Sequence, residues 1–384
     1  MSPAKKAAFV SGVALLAVVA VPSNPAHADS IRDQQWYLNA LKLGQTRPLT
    51  TGNRVVVAVL DTGSHPHPDI RRNLLAGSDQ TSSEGRNGKS DQNGHGTRMA
   101  GLIAGHGHGS SSGIQGIAPA ARILPVVVTK TGREIDPRIM ARGVQWATTQ
   151  KASVINISSG GGPSFDLADA IDAAISEDVV VVAAAGNTSS EAIVNYPAAF
   201  DDVLAVGATG RSGQHSSTSV KGDRVKICAP GVDIISTQPS RGYGTATGTS
   251  DSTAIVSGAA ALVRSRFPDL SAKEVVHRLT ATADDIGPPG RDDECGFGRL
   301  NIVKALTAEV PPLEGGGAPP ASNSAPPSAG ATAVRPGGSS PSATARGEQT
   351  PAGNGRGWVL GGAAGGLVLV GVLVGLGIRR RRRG

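Results

Sequence analysis

Cysteine is almost missing from this chain: 384 residues contain two, Cys228 and Cys295. A scaffold stapled by many disulfides is excluded, and two thiols leave either one bridge or a pair of free buried groups. Zinc-binding and EF-hand patterns are absent as well, so no metal ligands and no cofactor are assigned, while a calcium site assembled from scattered oxygens leaves no sequence pattern and stays open. No segment repeats another. Charge of one sign is lacking where a polyanion would need it. The formal net charge is +7, but residues 29–308 hold 27 Lys plus Arg against 27 Asp plus Glu, which places the excess at the two ends. A nucleic-acid partner is therefore not implied. Large apolar residues are scarce from 309 to 357, a stretch of Pro, Gly, Ala and Ser that cannot bury a core and reads as a disordered stalk.

Long apolar runs occur only near the termini. Residues 1–28 combine Lys5 and Lys6, an apolar run from Ala7 to Val21, and small residues at Ala26-His27-Ala28, the pattern of an export signal peptide. A first membrane anchor is the alternative, for which the run is short. Residues 358–378 carry no charge and would form a helix about 30 Å long, enough to cross the hydrocarbon core. Arginines occupy every position from 379 to 383, and such a cluster stays on the cytoplasmic side. The expectation is a single-pass cell-membrane protein with residues 379–384 in the cytoplasm and its body, residues 29–308, outside.

That body alternates apolar runs suited to buried strands with stretches of helical period. The runs are Val55 to Leu60, Ile123 to Val128, Ser153 to Ser158, Val179 to Ala185 and Val203 to Val206. Helices are expected over Thr97 to Ala104, Pro137 to Thr149, Ser164 to Ser176, Thr253 to Arg266 and Ser271 to Thr282. This order predicts an α/β fold, doubly wound, with a mostly parallel sheet and helices on both faces. Functional groups then belong at the carboxyl ends of strands.

Three glycine-flanked polar residues follow one another along the body: Asp61 in DTG (61–63), His95 in NGHGT (93–97) and Ser250 in GTS (248–250). A serine nucleophile needs a base, and the base needs an anion to hold its tautomer, so the set implies acyl transfer. Ser250 would attack, His95 would act as general base and then general acid, and Asp61 would stay ionised to orient the imidazole. Ser250 lies just before a helical stretch, where its backbone N–H can face an oxyanion.

These residues sit within VAVLDTG (57–63), DQNGHGTRMAG (91–101), VINISSGG (154–161), VVAAAGN (181–187), YPAAF (196–200), APG (229–231) and GTSDSTAIVSGAAAL (248–262). The succession resembles the signatures of the subtilisin-like (S8) serine peptidases over residues 50–305. The resemblance implies that Asn187 supplies a side-chain donor to the oxyanion. It implies too that Ser158, Ser159 and Gly160 pair with substrate backbone by β-strand addition. Ala184, Ala185 and Gly186 would floor a roomy, mainly apolar pocket, with Tyr196 and Pro197 nearby.

Two departures stand out. The family usually has a large apolar residue after the serine, whereas Asp251 stands here. An anion beside the nucleophile should slow acylation or select basic residues after the scissile bond. In addition, about thirty residues separate the signal from Asp61, too few for a folded propeptide, and Gln34 to Leu43 reads as a segment packed on the domain. Signal, stalk and membrane helix together resemble the mycosins, membrane-anchored subtilases linked to type VII secretion. Protein or peptide substrates at the cell envelope and a possible secretion complex are the implied partners. The alternative is a catalytically weak or inactive subtilase scaffold that stabilises such a complex. His106 and His108 form a His-x-His pair, and His65 and His67 flank prolines. Without a third ligand in view, both pairs read as loop residues.

Overall fold

The computed structural model describes residues 30–82, 86–108, 112–132 and 135–313. The signal, stalk and membrane segments expected at 1–28, 309–357, 358–378 and 379–384 lie outside these residues, apart from 309–313. Among the described residues no helix is long and apolar enough to cross a membrane.

Three short helices open the described chain: α1 (Ser30–Asp33), α2 (Trp36–Ala40) and α3 (Leu43–Thr46). The segment packs on the domain, as its sequence suggests: Tyr37, Leu41 and Leu43 are buried. The Tyr37 hydroxyl donates to the Ile235 carbonyl (3.1 Å), and the Trp36 indole donates to the Asp233 carbonyl (3.1 Å).

Next come β1 (Val56–Asp61), β2 (Ser78–Asp79), α4 (His95–Ala104), β3 (His106–His108), β4 (Ser112–Gln115), β5 (Arg122–Val127), α5 (Pro137–Thr149) and β6 (Val154–Ile157). The chain continues through α6 (Phe165–Ser176), β7 (Val180–Ala184), β8 (Leu204–Thr209), β9 (Ile227–Pro230), β10 (Ile234–Thr237) and β11 (Tyr243–Ala246). It then forms α7 (Thr249–Arg266), α8 (Ala272–Ala281) and α9 (Ile302–Thr307). Seven strands form one sheet in the order β2-β5-β1-β6-β7-β8-β9, and every pairing is parallel. β3–β4 and β10–β11 are separate antiparallel pairs. Neither hairpin was expected from the sequence, because both are short and only partly apolar.

Strand residues alternate between two cores, as the period of two requires. Val57, Val59, Val154, Val182 and Val206 face one core with α4, α7, α8 and α9. Ala58, Leu60, Ile155, Val181 and Ala205 face the other with α5 and α6. Truncating a residue such as Leu60, which is fully buried, to alanine would cost about 2–5 kcal/mol. The helix α7 is enclosed along nearly its whole length, so its polar residues need internal partners. Ser252 donates to the Ala229 carbonyl (2.9 Å), Thr253 to the Thr249 carbonyl (2.7 Å), and Ser257 to Asn156 Oδ1 (2.9 Å). The last bond ties α7 to the central strand β6. A disulfide joins Cys228 in β9 to Cys295 in the loop before α9, with Cα atoms 5.0 Å apart, which resolves the two thiol alternatives in favour of a bridge.

Candidate active site

The expected site residues converge on the carboxyl edge of the sheet. Asp61 ends β1, Ser158 follows β6, and Gly186 and Asn187 follow β7. Opposite them start α4 with His95 and α7 with Thr249 and Ser250. His95 opens α4, and α7 starts earlier than its apolar pattern suggests, so Ser250 belongs to its first turn and not to the segment before it.

Asp61 is fully buried. Its carboxylate receives the His95 Nδ1–H, at 2.9 Å to Oδ1 and 2.8 Å to Oδ2, and Oδ1 also accepts from the Thr62 N–H at 2.7 Å. The imidazole is thereby fixed as the tautomer that leaves Nε2 on the open side. A quarter of the His95 side chain remains exposed. Burial opposes the charged imidazolium, but the charge and hydrogen bond of Asp61 outweigh it, with Asp251 adding to the effect and Arg98 subtracting. His95 therefore titrates above its ordinary range.

The loop that presents His95 is organised by Asp91, a residue not singled out in the sequence reading. Its Oδ1 accepts from the Gly94 N–H (2.7 Å) and the Thr62 hydroxyl (2.9 Å). Its Oδ2 accepts from the Thr97 N–H (2.8 Å) and the Thr97 hydroxyl (2.6 Å). An Asp four residues ahead of a His, inside a glycine-rich turn before a helix, is a capping signal that could have been read. The glycine at 96 is required by packing within the protein: a Cβ there would stand 2.0 Å from the Gly63 carbonyl oxygen.

Ser250 shares a cleft of about 760 Å³ with His95, Ser158, Ser159, Gly160, Ala184, Gly186 and Asn187. Its hydroxyl donates to the Ser158 carbonyl at 2.9 Å, and the Ser158 hydroxyl donates back to the Ser250 carbonyl at 3.2 Å. Among the described residues no hydrogen bond joins Ser250 to His95, and none occupies the Ser250 backbone N–H. The Asn187 side chain is fixed through its oxygen, which accepts from the Thr249 N–H at 2.9 Å. Its NH₂ group is left as the donor available to the cleft. Glu191, also unforeseen, holds the Asn187 backbone, accepting its N–H at 2.7 Å.

Two expectations about the pocket need correction. Ala185 is fully buried and does not line the cleft; it packs in the core shared with α5 and α6. Nor is the lining mainly apolar. Ser159, Ser190, Glu191 and Asn195 face the cleft beside the small residues, because the segment after Asn187 folds back across it. The expected role of Asp251 changes too. Asp251 as a residue is 2% exposed and lies outside the cleft, so it cannot meet a substrate residue. Its carboxylate instead accepts from Arg98 Nε at 2.7 Å.

The histidine pairs fall elsewhere. His108 donates to Asp69, whose other oxygen accepts from the Ile114 N–H and the Tyr243 hydroxyl, while His106 contacts Arg72. Among the described residues no group of three or more His, Cys, Asp or Glu could hold a metal.

Residues 52–298 match the peptidase S8 family, the subtilases. The chain is 38% identical to Subtilisin DY of Bacillus licheniformis over 241 residues, which cover 62% of this chain and 86% of that protein. It is 35% identical to the minor extracellular protease Epr of Bacillus subtilis over 276 residues, 71% of this chain but only 42% of the length of Epr. Among solved structures, MycP1 from Mycobacterium smegmatis is similar, with 33% identity, a TM-score of 0.64, and coverage of 72% of this chain and 85% of that one. MycP1 is an essential component of the type VII (ESX-1) secretion system.

Proposed function

Because this chain belongs to the subtilase family and is a serine peptidase of the S8 class, we propose that Ser250, His95 and Asp61 form its catalytic triad, acting on peptide bonds through an acyl-enzyme. The observation that carries the assignment is the Asp61–His95 contact at 2.8 Å, opening into the cleft that holds Ser250. In the proposed reaction the Ser250 hydroxyl rotates from the Ser158 carbonyl toward His95 Nε2 and gives up its proton as it attacks the substrate carbonyl. The developing oxyanion meets the unoccupied Ser250 N–H and the Asn187 NH₂. Protonated His95 then donates to the leaving amine, and water releases the acyl group by the same route in reverse. Ser158, Ser159 and Gly160 line the cleft and are assigned to the substrate backbone, and Ala184 and Gly186 to the pocket before the scissile bond.

The wider setting belongs to the same proposal. An export signal at 1–28, a peptidase domain at 29–308, a stalk at 309–357 and a helix at 358–378 give a membrane-anchored enzyme with its active site outside the cell. Likeness to MycP1 supports a place beside a type VII secretion complex, with exported proteins as substrates. One observation favours a weakly active scaffold as the second reading: the Ser250 hydroxyl is bonded to Ser158 and not to His95. Hydrolysis of an internally quenched peptide library by the full-length protein separates the two. The triad assignment requires cleavage that disappears in Ser250→Ala; equal cleavage by both proteins, or by neither, would refute it.

A further inference from the structure

The aspartate after Ser250 has its partner on the helix that carries His95. Arg98 lies one turn beyond His95 in α4, and Asp251 lies in the first turn of α7. Their side chains are 4% and 3% exposed, and neither lines the cleft. Every branch of the guanidinium is committed. Nε donates to Asp251 Oδ1 at 2.7 Å, one terminal nitrogen donates to the Gly244 carbonyl at 2.6 Å, and the other donates to the Ile234 carbonyl. Gly244 and Ile234 belong to the two strands of the β10–β11 hairpin, so one side chain links the histidine helix, the serine helix and the hairpin. The hairpin returns two bonds to α4: Ser236 to the Arg98 carbonyl and Thr237 to the Thr97 carbonyl, each 2.8 Å.

Stability alone does not account for such a pair. Withdrawing two charges from water costs several kcal/mol per ion, and apolar residues of similar volume often serve the fold as well or better. What an apolar pair would not supply is fixed geometry and a balanced charge behind the base. Three side chains act electrostatically on the imidazolium: Asp61 from β1, Asp251 from α7 and Arg98 from α4. Burial pushes the Asp251 carboxyl above the ordinary carboxylate range, and the charge and hydrogen bond of Arg98 oppose that push. The fully buried Tyr37 of α2 also feels the charge of both members of the pair and of Arg32 in α1.

We propose that Arg98 and Asp251 are positioning residues, a buried clamp that sets the first turns of α4 and α7 against each other so that Ser250 and His95 come within reach. The proposal rests on the assignment of those two residues to catalysis. It extends that assignment to a pair separated by 153 positions in the sequence.

The test compares full-length wild type with Asp251→Asn, Asp251→Ala and the double variant Arg98→Met/Asp251→Met, reading kcat, KM, the pH profile and the melting temperature. Asp251→Ala should melt lower and lose about 10²-fold in kcat with KM nearly unchanged, the size of effect expected from a misplacement of about 1 Å. In Asp251→Asn the imidazolium loses an anion and keeps the Arg98 cation, so the acid limb of kcat/KM should move to lower pH. The double variant should recover the melting temperature but not kcat. Recovery of both in the double variant, or an unmoved acid limb with full kcat in Asp251→Asn, would overturn the clamp. A wild type whose cleavage is indifferent to Ser250→Ala would instead show that the catalytic assignment beneath it is wrong.

Discussion

The helices of ten or more residues among the described residues begin in two ways. At the starts of α5, α6 and α8 the preceding residue caps its own helix. Asp136 accepts from the Arg138 N–H, Ser164 from the Leu167 N–H, and Ser271 from the Glu274 N–H within a reciprocal capping box. At α4 and α7 the capping position is glycine, Gly94 and Gly248, with no side-chain cap. Their first-turn donors are answered from elsewhere in the chain: Thr97 by Asp91, Gly96 by Thr62, and Thr249 by Asn187. A self-capped helix needs only its own sequence to start. A helix capped from a distance has its first turn tied to other elements, and at α7 one donor is left over, the Ser250 N–H, where a ligand can use it.

The contrast can be broken at several points, beginning with the most severe. Ser250→Ala should reduce turnover by about 10⁶-fold, a magnitude taken from subtilisin itself, with little change in melting temperature, as judged by peptide hydrolysis and calorimetry. Asn187→Ala removes the proposed oxyanion donor and also the acceptor for the Thr249 N–H. It should cost about 10²- to 10³-fold in kcat, again the subtilisin range, and a modest amount of stability. Asp91→Ala should lower both rate and stability, the latter by about 2 kcal/mol in denaturant titration, because it strands buried donors on the histidine loop. Ser271→Ala, at a self-capped helix, should cost about 1 kcal/mol and leave kcat unchanged. Equal rate losses at Ser271 and Asp91 would remove the distinction.

A pH series sharpens it further. In the proposed role of base His95 must be neutral, and its affinity for a proton is raised in the folded state. Activity should therefore climb through a midpoint above the ordinary histidine value of about 6.5 and disappear below it. Stability should run the other way for this group: the His95–Asp61 ion pair contributes fully below the unfolded-state value and is lost as pH rises through the folded one.

The same contrast explains which features could be read from the sequence. The sheet and the helices α5, α6 and α8 were legible, since apolar period and local caps are written in adjacent residues. Asp61, His95, Ser250 and Asn187, the residues proposed to act, stood out as candidates because each sits in a glycine-flanked motif. The stretches marked at Thr97 and Thr253 begin two and four residues late, since glycine holds both capping positions; Asp91 is a nearby mark for α4, whereas Asn187, which answers α7, is distant in sequence. Ala185 was assigned to the pocket because alternation along β7 does not by itself tell which alanine faces the cleft. The polar lining was missed because Glu191 and Asn195 lie on a loop whose return across the site has no periodic signature. Asp251 read as a free anion because its partner Arg98 is distant in sequence.

Reaction of the full-length protein with a fluorophosphonate, followed by mass spectrometric peptide mapping, tests the central assignment most directly. The account predicts one adduct, on Ser250, formed at a rate that rises with pH as His95 loses its proton and abolished in His95→Ala. An adduct at any other residue, or none on folded protein, would contradict it.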